Sequence, residues 1–293
     1  MKQSIGDFLL RRLQEVGIRH LFGVPGDYNL GLMQQLEDRG EPAWIGNCNE
    51  LNASYATDAY ARINGIGAMI VTHGVGTLSA VNGIAGAYSE HVPVILISGS
   101  LPLRAIQRGD LMHHTLVDRE KGNLSRIFAE ITEAQARLTP ENAVAEIDRL
   151  ILTAWRRKRP VYLELPSDIP YLEIEAPDSP LKLEVMPSEQ QSLKACTAMI
   201  LKRLQSAKSP AFLLDIDYQY GYAKPIASSA RECNAVLFRV VKTDERDSAA
   251  DQSLKRLLDV FLRRTTDGRT VVAKMKDAQW IHLRALSSMR GDL

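Results

Sequence analysis

Residues 63–89 contain no Asp, Glu, Lys or Arg. A run of that length either crosses a bilayer or lies inside a layered protein. This one also holds Asn64, Thr72, His73, Thr77, Ser79, Asn82 and six glycines. That content of polar and conformationally free residues suits a buried strand, a glycine turn and a helix rather than a membrane span. MIVT (69–72) is the strand, and TLSAVNGIAGAYSE (77–90), rich in Ala and Gly, is a close-packed helix. A strand with no polar face must be covered on both sides, and VPVILISGS (92–100) repeats the pattern.

The rest of the first 170 residues alternates in the same way. Residues 5–16 place Ile5, Phe8, Leu9, Leu13 and Val16 at helical spacing. HLFGVPG (20–26) is a short strand ending in a Pro-Gly turn, and ELNASYATDAYAR (50–62) is a helix with Glu50 at its start. A helix over 141–156 precedes the strand RPVYLELP (159–166). Alternation of this kind builds an α/β domain on a mainly parallel sheet. PYLEIEAPDSPLKLEVMP (170–187) carries four prolines and reads as a linker, 171–187. Beyond it, a helix over 188–206, a strand at 210–217, a helix over 222–233 and the strand AVLFRVV (235–241) begin a second α/β domain. QSLKRLLDVFLRR (252–264) forms an amphipathic helix that covers a sheet face or meets a partner.

The chain of 293 residues is long enough for two domains, and its formal charge of +1 leaves no basic surplus for nucleic acid. Cys48, Cys196 and Cys233 form no CxxC pair, which excludes a cysteine zinc finger and points to a reducing, cytoplasmic setting. The first residues, MKQSIGDFLLRRL, lack the pattern of a secretory leader.

Several residues are placed to carry chemistry. GVPGDYNL (23–30) and HGVGTLSA (73–80) are strand-to-helix turns that offer backbone N–H groups to a ligand. Gly74 and Gly76 give GxG, but Ser79 stands where a dinucleotide fingerprint needs its third glycine. Taken alone, both segments read as tight turns in a layered fold rather than as a ligand site. Glu50 either complements a helix dipole or projects a carboxylate into a cleft at a strand end. His113 and His114 are adjacent, so on an extended chain they point apart and do not form a two-ligand metal site. They are a structural pair, or one of them transfers protons near neutral pH. HExxH and GxSxG are both absent.

Taken in order, LFGVPGDYNL, NELNASYATDAYAR, GVGTLSAVNGIAGAYSEHVPVILISG and LMHHTL resemble one family. It is the thiamine-diphosphate-dependent 2-oxo acid decarboxylases, which act on pyruvate, phenylpyruvate or indolepyruvate, and the match is to their N-terminal pyrimidine-binding domain. The resemblance covers about residues 3–170 and continues faintly to 240. It implies a three-layer, parallel-sheet α/β domain over residues 1–170, followed by a partial second α/β domain over 188–293. Glu50 matches the glutamate that hydrogen-bonds N1′ of the aminopyrimidine and promotes removal of the thiazolium C2 proton. The cofactor ring then takes up the electrons left by departing carbon dioxide, and an aldehyde is released. Asp27, His113 and His114 match polar residues that handle protons and position substrate. Pro25, Gly26 and Thr72 match the wall beside the pyrimidine. For a glutamate to act as an acid near neutral pH it needs apolar surroundings, and AWIG (43–46) precedes Glu50.

The His-His pair resembles the decarboxylases rather than acetolactate synthases, the carboligase alternative. Relatives carry a third domain that binds diphosphate through Mg²⁺ with a GDG segment, and this sequence has no GDG. The sequence after about residue 240 departs from the family. The expectation is a truncated chain that binds thiamine diphosphate weakly alone and supplies no metal ligand. It then acts with a 2-oxo acid as substrate through a homo-oligomer or a chain carrying the diphosphate-binding domain. The alternative is an inactive remnant or dimerising module.

Overall fold

The computed structural model describes residues 2–115, 120–183, 188–206, 211–214 and 236–239. It divides into two compact units, Met1–Glu184 and Val185–Leu293. The first is built on a six-stranded parallel sheet. In chain order its strands are β2 (His20–Gly23), β3 (Ala43–Gly46), β4 (Gly67–Thr72), β5 (Val94–Ser100), β6 (Ala134–Arg137) and β7 (Val161–Pro166). Across the sheet they run β3-β2-β4-β5-β7-β6. A short strand β1 (Lys2–Ser4) pairs antiparallel with β8 (Glu173–Glu175).

Side-chain alternation along the central strands creates three layers. Ala68 and Ile70 of β4, Ile95 and Ile97 of β5, and Leu163 and Leu165 of β7 face one core. That core is closed by α1 (Ile5–Glu15), α2 (Leu30–Arg39) and α8 (Ala143–Arg157), through residues such as Phe8, Leu36 and Ile147. Met69 and Val71, Val94 and Leu96, and Tyr162 face the other way. They meet α3 (Glu50–Asn64), α5 (Val81–Ser89) and α7 (Asn123–Ala129) through Ala53, Ile84 and Phe128. Both faces of β4, β5 and β7 are buried throughout, which is why AMIV of β4 and VILI of β5 read as unbroken apolar runs, while β7 interrupts its run with the buried Glu164.

The charge-free run folds as strand, turn and helix, but with two helices: α4 (Val75–Ser79) and α5, parted at Ala80. Thr77 sits in α4 with its hydroxyl donating to the Thr72 carbonyl at 2.8 Å and touching Ser98 Oγ at 2.7 Å. These bonds tie α4 to the sheet below it, and α5 starts afresh. A further helix, α6 (Leu103–Arg108), follows β5.

The proline-rich stretch 171–187 is partly structured. Besides β8, it supplies Leu181 and Leu183 to the α1/α8 core. A buried ionic clamp holds it there. Arg12, 2% exposed, donates to Asp148 Oδ1 (2.7 Å), Glu15 Oε2 (2.6 Å) and the Ser179 carbonyl (2.9 Å), and Glu15 accepts from the Leu181 amide (2.8 Å). Bonds from Arg12 and the Leu181 amide hold the Glu15 carboxyl below its usual range against the opposing effect of burial.

The second unit contains α9 (Gln190–Ser206) and the strands β9 (Ala211–Leu214) and β10 (Val236–Arg239), paired in parallel with Ala211 opposite Val236. The helix expected at 222–233, the amphipathic helix at 252–264 and the tail lie outside the described residues. Among those described, no helix is long and apolar enough to cross a membrane.

Removing Arg12 leaves Glu15 bonded to Arg11 (2.8 Å) and to the Leu181 amide but takes the ionic partner from Asp148. Arg12→Ala is therefore expected to lower the unfolding free energy by about 2 kcal/mol in urea denaturation, and to speed hydrogen exchange at the Leu181 amide. Unchanged stability would refute the clamp.

Candidate functional site

Chain order and sheet order diverge at β2. The connection from β2 leads out to the edge strand β3, and the next returns to β4 on the other side of β2. The loops leaving β2 and β4 therefore part in opposite directions, opening a crevice at the carboxyl ends where ligands bind in open α/β sheets. Residues 24–29 follow β2, residues 73–74 follow β4, and Glu50 opens α3 just after β3.

Three close approaches bring these segments together. A Cβ on Gly26 would lie 2.7 Å from Thr72 Cβ. A Cβ on Gly76 would lie 2.9 Å from both Glu50 Oε1 and Thr72 Cγ2. At Gly74, φ is +71° and a Cβ would come within 1.9 Å of the His114 carbonyl oxygen. Each distance is too short for a side chain, so glycine is required on steric grounds at the first two and on conformational grounds as well at the third.

The loop after β2 is held by Asn29, which is buried. Its Nδ2 donates to the Val24 carbonyl at 3.0 Å, and its Oδ1 accepts from the Gly26 amide at 2.9 Å. Nothing in the sequence pattern distinguished Asn29, because its partners are its own neighbours in a turn. Pro25 and Asp27 are exposed on this loop, while Thr72 is buried at the end of β4.

Glu50 is half-buried at the first turn of α3, whose N-cap Asn49 accepts from the Asn52 amide at 2.9 Å. The apolar setting expected from AWIG does not arise. That segment is β3, paired on one side only, and Ala43, Ile45 and Gly46 are exposed. Among the described residues, no hydrogen bond or ion pair engages the Glu50 carboxylate. Thr72 Oγ1 is buried and also lacks a partner.

A second group stands beside the first. His113 Nε2 lies 3.1 Å from Asp27 Oδ2. The His113 and His114 rings are 4.8 Å apart, edge to face. The segment is a turn with His114 at φ +60°, not the extended chain assumed from sequence, so the two rings touch instead of pointing apart. Tyr28, not singled out from sequence, stacks on His113 at 4.9 Å and meets His73 and His114 edge-on, both at 6.2 Å. Its partner lies 85 residues away in the chain, beyond any local pattern.

His73 is 3% exposed and its Nδ1 has no partner. Burial, followed by the charges of Arg137, Lys121 and His114, pushes its pKa down to about 4. Arg137 is fixed by the buried Glu164, to which its Nε donates at 2.8 Å, and by the Lys121 carbonyl. Burial raises the Glu164 pKa, and Arg137 opposes that rise.

An aminopyrimidine needs a carboxyl at one ring nitrogen, polar groups for its amine and a slot free of side chains. Glu50 supplies an uncommitted carboxyl, and Gly26 and Gly76 bring their backbones directly against Thr72 and Glu50, while the Thr72 hydroxyl, though unpartnered, is buried. The diphosphate and Mg²⁺ are a different matter. Among the described residues, no three His, Cys, Asp or Glu side chains are grouped to hold a metal ion.

The depressed His73 pKa has a stability consequence. On acidification the unfolded chain, with a histidine near 6.5, takes up this proton before the folded chain does. The stability present above about pH 6.5 is lost as pH falls towards 4, by about 3 kcal/mol. Wild type is expected to lose that amount over this interval relative to His73→Gln in denaturation at stepped pH. Parallel losses in the two proteins would contradict a buried, neutral His73.

Residues 3–120 match the model of the thiamine pyrophosphate enzyme N-terminal TPP-binding domain. Over 215 residues the chain is 46% identical to the pyruvate decarboxylase of Aspergillus terreus, 44% to that of Aspergillus fumigatus and 41% to pyruvate decarboxylase isozyme 1 of Saccharomyces cerevisiae. Each alignment covers 72% of this chain, which spans 38% of the length of these relatives. The N-terminal unit, with its crevice between β2 and β4, thus matches the TPP-binding N-terminal domain of thiamine pyrophosphate enzymes and is similar to pyruvate decarboxylases.

Proposed function

We propose that this chain supplies the aminopyrimidine-binding half of a thiamine-diphosphate-dependent, non-oxidative decarboxylase of pyruvate or a related 2-oxo acid. The observation that carries the proposal is the placement of Glu50 over Gly76 and Thr72 at the switch point, with its carboxylate uncommitted to any described residue. Bound there, thiamine diphosphate supplies an electron sink for the electrons left when a 2-oxo acid loses carbon dioxide.

In this reading residues 1–170 form the pyrimidine-binding domain, and residues beyond 188 begin a second α/β domain. Glu50 holds and exchanges a proton at the pyrimidine ring nitrogen. Pro25, Gly26 and Thr72 form the wall of the slot. Asp27, His113 and His114 hold protons at the crevice mouth, where the first two are exposed (71% and 52%) and therefore reachable by substrate. The diphosphate and its Mg²⁺ are held by a segment outside the described residues or by a companion chain.

A half-site of this kind reads the ring and ignores the diphosphate. Calorimetric titration of the purified chain is expected to give weak, saturable binding of thiamine and of thiamine diphosphate with similar affinity, independent of Mg²⁺. A hydrogen bond to a charged group contributes about 1.5–3 kcal/mol, so Glu50→Gln is expected to weaken both by at least about tenfold. Mg²⁺-dependent preference for the diphosphate would place a complete cofactor site in this chain. Binding of neither compound would overturn the proposal.

A further inference from the structure

The Tyr28 hydroxyl faces two acceptors on one residue. It lies 3.2 Å from His113 Nδ1 and donates to the His113 carbonyl oxygen at 3.1 Å. The phenol has one proton and cannot give it fully to both. On the far side of the same imidazole, Nε2 is 3.1 Å from the Asp27 carboxylate. The tyrosine itself has little room to move. It is 5% exposed, its ring is stacked on His113 with 19° between planes, and its backbone is pressed on β5, where a Cβ on Gly99 would lie 2.5 Å from the Tyr28 carbonyl oxygen.

These contacts allow two satisfied states of His113. A neutral imidazole must carry its proton on Nε2, because a bare Nε2 would set its lone pair against the Asp27 carboxylate. Nδ1 is then an acceptor, and Tyr28 donates to it. In the cation both nitrogens are donors. Nε2–H still donates to Asp27, Nδ1–H donates to the tyrosine oxygen, and the tyrosine proton turns to the His113 carbonyl. We propose that Tyr28 is a positioning residue, a hydroxyl rotor that satisfies His113 Nδ1 as an acceptor in the neutral ring and as a donor in the cation, so that the ring gains a proton at Nδ1 without moving while Asp27 keeps the other proton on Nε2. The proton gained or lost sits on the Tyr28 side, and Nε2–H stays directed at Asp27 throughout.

Burial, together with the neighbouring Asp27 charge, raises the Tyr28 pKa and so keeps the phenol protonated as a donor. Among the described residues, the charged or titratable groups against the imidazole are Asp27, Tyr28 and His114, and His73 meets Tyr28 edge-on.

The inference deepens the reading of Asp27 and His113 as a proton-handling pair. Its test is spectroscopic and uses no thiamine diphosphate, so its failure is distinguishable from failure of the decarboxylase reading. The full chain, labelled with ¹⁵N at its six histidines, is observed about two pH units above the ordinary imidazole value of about 6.5. Two-bond couplings report which nitrogen bears the proton. Wild type is expected to show neutral His113 as Nε2–H. Tyr28→Phe, which preserves the stacked ring, is expected to keep that tautomer and to move the Nδ1 resonance downfield as its hydrogen bond is lost. Asp27→Ala is expected to populate both tautomers, because the rotor satisfies Nδ1 in either. A neutral wild-type ring protonated at Nδ1, or an Nδ1 resonance unmoved in Tyr28→Phe, overturns the rotor. The wild-type and Asp27→Ala arms leave the core intact, so they decide the question even if Tyr28→Phe disturbs the fold; a pure Nε2–H pattern in Asp27→Ala also overturns it.

Discussion

Around the turns that follow β2 and β4 the chain packs so closely that no Cβ fits at three glycines. Gly26 lies on Thr72, Gly76 lies on Thr72 and Glu50, and Gly74 lies on the His114 carbonyl. The constraint originates in topology. Because β3 is placed outside β2, the two loops diverge, and their first residues must form the floor of the crevice that opens. Each candidate functional side chain is held in place around this floor. Glu50 is aimed by the start of α3, Asp27 by the Asn29 clip on its loop, and the His113-His114 turn by its seat on Gly74.

The electrostatic layout beneath the crevice follows from the same packing. Thr77, Ser98, Tyr162, Glu164 and Arg137 line the sheet face that carries the α3/α5/α7 core, and His73 ends the adjoining β4 turn. Arg137 there is balanced by Glu164, while His73 has no anion beside it and stays neutral down to about pH 4. The mouth, by contrast, holds an exposed Asp27–His113 pair. A neutral, buried imidazole behind a solvated pair that can exchange protons separates the structural histidine from the one available for chemistry.

Much of the first unit was legible in the sequence because its signals are periodic. β4 and β5 are buried on both faces, so their apolar runs are continuous, and α1 and α8 each present a single apolar stripe. β3 and β6 were harder to read. Both are edge strands, and Ala43–Gly46 and Ala134–Arg137 are only partly covered, so neither shows a strong pattern. The break between α4 and α5 depends on Thr77 bonding to Thr72 and Ser98, contacts that no helical period encodes. At the site, Glu50, Asp27 and the histidine pair stood out by type and position. Tyr28 did not, because its role exists only once residue 113 folds back against it, nor did Asn29, whose bonds are local turn geometry. The assignment of a cofactor came from the family resemblance and not from spacing, since the GxG of Gly74 and Gly76 alone reads as a tight turn.

The central claim is that the floor formed by Gly26, Thr72 and Gly76, with Glu50 beside it, is an aminopyrimidine slot. A crystal structure of the chain grown with saturating thiamine tests it most directly. The account predicts the pyrimidine ring lying against Gly26 and Gly76, with a ring nitrogen within hydrogen-bond reach of the Glu50 carboxylate, about 2.6–3.2 Å. Thiamine bound elsewhere, or in that slot with Glu50 turned away from the ring, would contradict it.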